Sequence, residues 1–366
     1  MSCKTPKSRV LVSGTMRGGS SLVSNVLNAH SEIMVLGEYV HFFRFIYDCY
    51  NPLNRKSIGK MLDEMHARLF YRYKVSIDKN SILKDIDTNG YTYTSVYDSI
   101  MRYYLKKLGK QIAGEDAALN WTTIPDYLKL FPDAKVIQII RDPRSVLASW
   151  HKASYQKVNY LDAIFNCIDN MDKCSYYSKV FPNTTYIYVK YEDIINNPEK
   201  VARRFCELIG IEFESIMIKP DKWDDIFDGV YVKRGWSSHV GKMTKGFDSS
   251  RMDAWKESLE DWELCLCELL AKDRLMKFGY ELSGKLFDGE TVFKAIDKLR
   301  STPFLHKRFL GWLTSNQGAE GYPDNPRDPS TWGATEKNKE LFLNTEDGKA
   351  YLKAIEEIRN KYSLHI

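Results

Sequence analysis

The 366-residue sequence has no run of about 20 apolar residues, so it offers no helix of membrane-spanning length. Its amino terminus, Met-Ser-Cys-Lys-Thr-Pro-Lys, has no apolar segment of a secretory leader, and a cytoplasmic protein is expected. Paired cysteines are also missing. There are seven in all, an odd number, and Cys265 and Cys267 are two apart, which is neither a zinc nor a redox spacing. They read as buried thiols of a reducing compartment. No metal-ligand spacing and no Ser-His-Asp order stands out, so no metal is expected. Nor is there a basic run. The formal charge of +5 is spread along the chain, which argues against nucleic acid or a membrane surface as partner. No internal repeat is visible.

What is present is an ordinary globular composition, 43% hydrophobic and 28% charged, with 13% aromatics including 23 Tyr, rich enough to favour a deep pocket. Strand and helix patterns alternate. Strands are expected at Arg9 to Ser13, Gln111 to Gly114, Lys135 to Ile140 and Thr185 to Val189, and the apolar run Ile33 to Leu36 is a further candidate. Helices are expected at Ser20 to Ala29, Tyr91 to Leu108, Leu161 to Val180, Pro198 to Ile209 and Leu259 to Phe278, with Gly210 and Gly279 closing the last two. Residues 39 to 75, aromatic and basic, read as helical cover for a pocket. This alternation implies an α/β fold with a central parallel sheet and helices on both faces. From about 284 the character changes. The expected division is a domain over 1–283 and a C-terminal extension of helix and loop over 284–366, packed on the core or serving as a lid or homodimer contact.

Residues 10 to 21, Val-Leu-Val-Ser-Gly-Thr-Met-Arg-Gly-Gly-Ser-Ser, form an apolar strand, a glycine-rich turn and a helix start. From Gly14 the spacing is G-x-x-x-x-G-S-S, a Walker A loop with Ser20 in the lysine position. Gly18 and Gly19 let backbone N–H groups approach a ligand, and the helix beginning at Ser20 and Ser21 turns its positive end to the same spot. A plain tight turn is the bland alternative. Without the lysine, ATP fits poorly, and a ligand with one phosphate-like group at the loop fits better. A second segment, Phe131 to Trp150, runs a buried strand into Arg141 and then a helix opened by Pro143. Arg141 stands at a strand's carboxyl end, where open α/β sheets bind ligands, and a guanidinium fork suits phosphate oxygens. Ser149, eight residues on, adds a hydroxyl. Two anion sites suggest a nucleotide with phosphates at both ends.

On these residues the chain resembles the P-loop-like sulfotransferase superfamily that uses 3′-phosphoadenosine 5′-phosphosulfate. Thr15 to Leu22 resembles that superfamily's 5′-phosphosulfate loop, and Arg141 with Ser149 its 3′-phosphate motif. Gly114-Glu115 ahead of Leu130 to Lys135, the Tyr191-Glu-Asp-Ile segment, and Ser237-Ser238 followed by Arg251 to Leu259 add weaker matches in the same order. The likeness spans roughly residues 8 to 282. It implies that Arg17, Gly18, Gly19, Ser20, Ser21, Arg141, Ser149, Tyr191, Ser237, Ser238, Arg251 and Lys256 bind the cofactor. The product would be 3′-phosphoadenosine 5′-phosphate.

The implied chemistry is in-line transfer to an acceptor oxygen or nitrogen, mostly by positioning and charge stabilisation. Arg17 is the expected stabiliser of developing charge. Glu38, following Gly37 at the sheet's ligand edge, is the expected base, with His41 as a backup. Asn120 is expected to orient the acceptor. Where related chains read Gly-Glu-Lys-Thr-Pro, this one reads Gly-Glu-Asp-Ala-Ala, which places Asp116 where a cation is usual. With Trp223, Asp224, Asp225 and Asp228, it admits a cationic small-molecule acceptor. A P-loop kinase or nucleotide-binding protein, an inactive scaffold on the same fold, and a carbohydrate or peptide acceptor are the alternatives.

Overall fold

Five short strands pair side by side, all parallel: β1 (Arg9–Gly14), β2 (Ile33–Gly37), β3 (Ile112–Asp116), β4 (Lys135–Ile140) and β5 (Tyr186–Lys190), in the order β2-β3-β1-β4-β5. The computed structural model describes residues 6–37, 39–73, 76–153, 158–223, 246–315 and 353. The strands are almost wholly buried because helices cover both faces, so their sequences read as near-continuous apolar runs. The period of two still sorts them. Leu11, Met34, Leu36 and Val136 enter one core, while Val10, Val12, Ile33, Val35, Ile137 and Ile139 enter the other.

The second of these cores is closed by α1 (Ser20–Asn28) through Val23, Val26 and Leu27, and by α9 (Pro198–Ile209) through Ala202 and Phe205. The short α8 (Tyr191–Asn196) adds Ile194 and Ile195. The opposite core is filled from α2 (Arg55–Tyr73), α3 (Lys79–Asn89), α4 (Tyr93–Leu108) and α5 (Ile124–Leu130), with Tyr97, Tyr104 and Tyr127 among its largest members. A third cluster joins α7 (Asp162–Val180) to α10 (Asp261–Lys277), α11 (Gly289–Ser301) and α12 (Pro303–Ser315). Ala295, Leu299 and Leu305, beyond residue 284, are buried in that cluster beside Leu266 and Leu270. No described helix is long and apolar enough to cross a membrane.

Some elements differ from the sequence reading. The third strand runs on through Glu115 and Asp116 instead of stopping at Gly114. The helix expected from Tyr91 begins at Tyr93, because the Thr92 hydroxyl accepts the Ser95 N–H and caps it there. The helical cover expected over 39–75 comes in two pieces among the described residues. A single π-helical turn, Phe42–Ile46, precedes α2. The register, Val12 and Gly37 both opposite Asp116, Gly14 opposite Ile139 and Ile140 opposite Lys190, brings all five carboxyl ends to one edge. Of the expected C-terminal extension, residues 316–352 and 354–366 lie outside the described residues, and Lys353 is in helical conformation.

Candidate active site

The loop from β1 to α1 is shaped by close approach. A Cβ at Gly18 would stand 2.6 Å from the Thr15 hydroxyl, and one at Gly19 would stand 2.4 Å from the Tyr191 ring. Gly19 also has φ of 105°, which only glycine takes readily. It is the N-cap of α1, its carbonyl accepting the Leu22 and Val23 N–H groups at 2.9 and 3.2 Å. The first turn, opening with Ser20 and Ser21, contains no acidic residue, so its positive end is not offset by a carboxylate of its own. Arg17, with φ of 65°, holds a left-handed conformation costly for a residue with a Cβ.

Three guanidinium groups converge on this loop. Arg17 donates from Nε to the Ser149 hydroxyl at 2.9 Å. Arg141, at the end of β4, donates one Nη to the Arg17 carbonyl at 2.9 Å and the other to the Arg251 carbonyl at 2.7 Å. Its Cζ lies 4.2 Å from the centroid of the Tyr191 ring, which also packs on Gly19. Arg141 is buried, and its Nε meets no acceptor among the described residues. Burial first, then repulsion by Arg141 and Arg251, lowers the Arg17 pKa to about 10. Arg251 is itself turned to Asp248 at 3.3 Å.

Further polar contacts behind these guanidinium groups hold this corner. The turn into α6 (Pro143–Ala153) carries Asp142 and Arg144, which pair at 2.7 Å, and Arg144 also pairs with Glu268 of α10 at 2.8 Å. Asp142 donates its N–H to Glu192, whose other oxygen accepts from the Tyr280 hydroxyl. Ser145 donates to the Met252 carbonyl at 2.6 Å, so α6 grips the same segment that Arg141 grips at residue 251. The sequence reading assigned nothing to Arg144, Ser145, Glu192 or Glu268. The only signals were the arginine three residues past Arg141 and the glutamate after Tyr191.

At the other side of β1, the end of β3 presents Glu115 and Asp116, both buried. The Asp116 carboxylate accepts from Ser24 of α1 at 3.1 Å. Glu115 accepts the Phe42 N–H at 2.9 Å and a further backbone hydrogen bond from His41. Burial raises its pKa to about 7, against the lowering effect of the Phe42 N–H. His41 is buried with φ of 47°, its ring edge-on to Phe45. Asn120 follows a turn tied to the loop by the Leu119 N–H on the Gly14 carbonyl. Its Nδ2 is buried and meets no acceptor among the described residues.

Of the residues singled out in the sequence, Arg17, Gly18, Gly19, Ser20, Ser21, Arg141, Ser149, Tyr191 and Arg251 thus gather at one corner. Asp116, Asn120 and His41 belong to the segments that leave β3 and β2. Lys256 is exposed and pairs with Asp253 at 2.9 Å. Trp223 is a core side chain, 1% exposed, its indole N–H donated to the Ile216 carbonyl and its ring set against Phe247. Glu38, Asp224, Asp225, Asp228, Ser237 and Ser238 lie outside the described residues.

The fold has known counterparts. Residues 9–215 match the model of the sulfotransferase family, which is more than half of the chain. No curated protein matches. Among solved structures, the chain is similar to the sulfotransferase domain of the Synechococcus PCC 7002 olefin synthase, at 17% identity and TM-score 0.51, over 76% of this chain and 97% of that one. It is similar in the same degree to the sulfotransferase domain of the curacin biosynthetic pathway, at 17% identity and TM-score 0.50, over 76% of this chain and all of that one. A mouse sulfotransferase complexed with PAP aligns more loosely, at 10% identity and TM-score 0.41, over 74% of this chain and 85% of that one. The parallel sheet, the loop at its edge and the family match agree: the chain belongs to the sulfotransferase family.

Proposed function

We propose that the protein transfers a sulfuryl group from 3′-phosphoadenosine 5′-phosphosulfate to a hydroxyl, amine or guanidine group of a small metabolite. The observation that carries this reading is the crowding of Arg17, Arg141 and Arg251 at the glycine loop, where burial first and then repulsion by the other two guanidinium groups bring the Arg17 pKa down to about 10. Buried like charges repel, and a polyanionic ligand relieves that repulsion. The residues present suit such a ligand. Gly18 and Gly19 keep the loop clear of side-chain atoms, the α1 N-terminus carries no acid, and the buried Arg141 Nε has a donor to give.

The donor supplies an activated sulfuryl group whose leaving oxygen is on the 5′-phosphate. On the protein's side, the loop N–H groups with Ser20 and Ser21 hold that phosphate. Arg17 meets the charge that builds during transfer. Arg141, with Ser149 and the Tyr191 ring, takes the other end of the nucleotide. Arg251, Lys256, Ser237 and Ser238 are assigned to the late segment that covers it. Glu38 is assigned the acceptor's proton, with His41 as the alternate. Asn120, whose buried Nδ2 meets no acceptor among the described residues, is assigned to orient the acceptor. Asp116 and Asp225 are assigned to it only if it is cationic. Trp223 is left out of the pocket, since its ring is in the core and its N–H is taken.

The test is a labelled-sulfate transfer screen of hydroxylated and aminated metabolites, in the presence of EDTA. Metal-independent labelling of at least one class of acceptor is the expected result. Labelling that needs added Mg²⁺, or phosphate transfer from ATP, contradicts it.

A further inference from the structure

The backbone just past residue 38 is held from both sides by buried charges. On one side Arg68 of α2, 3% exposed, donates from one Nη to the Tyr39 carbonyl at 3.0 Å and to the Val40 carbonyl at 3.1 Å. Its Cζ lies 3.8 Å from the Phe45 ring centroid, which fixes the guanidinium plane. On the other side Glu115 of β3, 1% exposed, accepts the Phe42 N–H at 2.9 Å and a backbone hydrogen bond from His41. Between them His41 is kept at φ of 47°, a conformation that a non-glycine residue holds only when its surroundings impose it. Carbonyls face the cation and N–H groups face the anion. The four residues are strapped by their main chain, whatever their side chains do.

We propose that Glu115, acting with Arg68, is a positioning residue that fixes the Tyr39–Phe42 turn at the sheet's ligand edge and so sets the geometry of the acceptor side of the site. That the turn serves the acceptor rests on the function proposed above; the strap itself does not. The strap depends on Glu115 being ionised, because a carboxylate accepts both N–H groups more strongly than a neutral acid. The ionisable groups around it are Asp116 on its own strand, Arg68 on α2, Tyr97 on α4, Tyr127 on α5 and His41 on the turn. Burial outweighs the help from Phe42, Arg68 and His41 and brings the Glu115 pKa up to about 7. The turn should therefore tighten as pH rises through about 7. Global stability should move the other way. A carboxyl whose folded pKa lies above its unfolded value of about 4.3 contributes stability below that value and loses it as pH rises through the folded pKa.

Hydrogen exchange of the 39–46 segment in the full chain tests this without donor or acceptor. After correction for intrinsic exchange, protection should be higher at pH 8 than at pH 6 by roughly three- to tenfold, the scale of strengthening one charge-assisted hydrogen bond. In Glu115→Gln the step should vanish, and so should the loss of stability between about pH 4.3 and 7. In Arg68→Lys protection should drop at both pH values with the step retained. In turnover, wild-type kcat should fall below about pH 7, and Glu115→Gln should lower kcat, lose that limb and keep the KM for the donor. Flat wild-type protection, or a step that persists in Glu115→Gln, overturns the proposal. Should Glu115→Gln not fold, the wild-type profile and Arg68→Lys decide it. A pH step in exchange without sulfuryl transfer to any acceptor keeps the strap and sinks the proposed function. Transfer activity with flat exchange does the reverse.

Discussion

Arg17 combines two conditions that are unfavourable for an arginine, a left-handed backbone and burial beside two other cations. Arg17 thus trades stability for ligand binding. Arg17→Gln should leave the unliganded protein as stable as wild type or more so, and should shrink the rise in melting temperature on adding 3′-phosphoadenosine 5′-phosphate. A variant less stable than wild type with an unchanged ligand-induced rise contradicts this. Gly19 behaves differently. With φ of 105° and a ring 2.4 Å from any added Cβ, Gly19→Ala should cost about 1–3 kcal/mol in chemical denaturation and also lose nucleotide affinity. The Tyr191 ring cannot retreat freely, since Arg141 stacks on its face. Tyr191→Leu in the Gly19→Ala background should recover part of the stability, measured as a double-mutant cycle.

At the scale of elements, the turn from β4 into α6 does most of the organising. Arg144 is buried between Asp142 and Glu268, and its ring contact with Trp255 ties in the residues after 251. Arg144→Met should cost about 3–5 kcal/mol, because it leaves two carboxylates buried with no cation. Denaturation of Arg144→Met beside the triple variant that also carries Asp142→Asn and Glu268→Gln separates that cause from lost packing. The triple should recover much of the loss.

The elements differ in how far they could be read from the sequence. β1, β4 and β5 were legible because a buried parallel strand is an unbroken apolar run. β3 was cut short at Gly114 because Glu115 and Asp116 look like a loop. They stay in the strand with their carboxylates turned to donors, Glu115 accepting the Phe42 N–H and one Asp116 oxygen accepting the Ser24 hydroxyl. α3 was not anticipated, having only Ile82 and Ile86 buried along its length. The loop glycines, Arg141 and Ser149 were visible as a motif. That Arg17 and Ser149 touch, and that Arg141 spends two donors on backbone carbonyls, depends on tertiary contacts across more than a hundred residues. The same holds for Trp223, whose aromatic and acidic neighbourhood suggested a pocket while its ring went to the core.

Across the whole molecule, the sheet brings the carboxyl ends of its strands to one edge. The cations lie on the β1–β4–β5 side of that edge, and the carboxylates of β3 lie on the other. A polyanionic donor suits the first side and an acceptor that gives up a proton suits the second. The asymmetry matches the direction of transfer proposed here. The helices after residue 284 share a core with α7 and α10, and Arg308 reaches Asp162 at 2.6 Å, so α12 bears on the start of α7. Calorimetry of nucleotide binding tests the central claim most directly. The protein should bind 3′-phosphoadenosine 5′-phosphate much more tightly than AMP, and Arg141→Ala should remove roughly 1.5–3 kcal/mol of that preference, the range for a charge-assisted hydrogen bond. Equal affinity for the two nucleotides, or an Arg141→Ala variant that still discriminates between them, would contradict it.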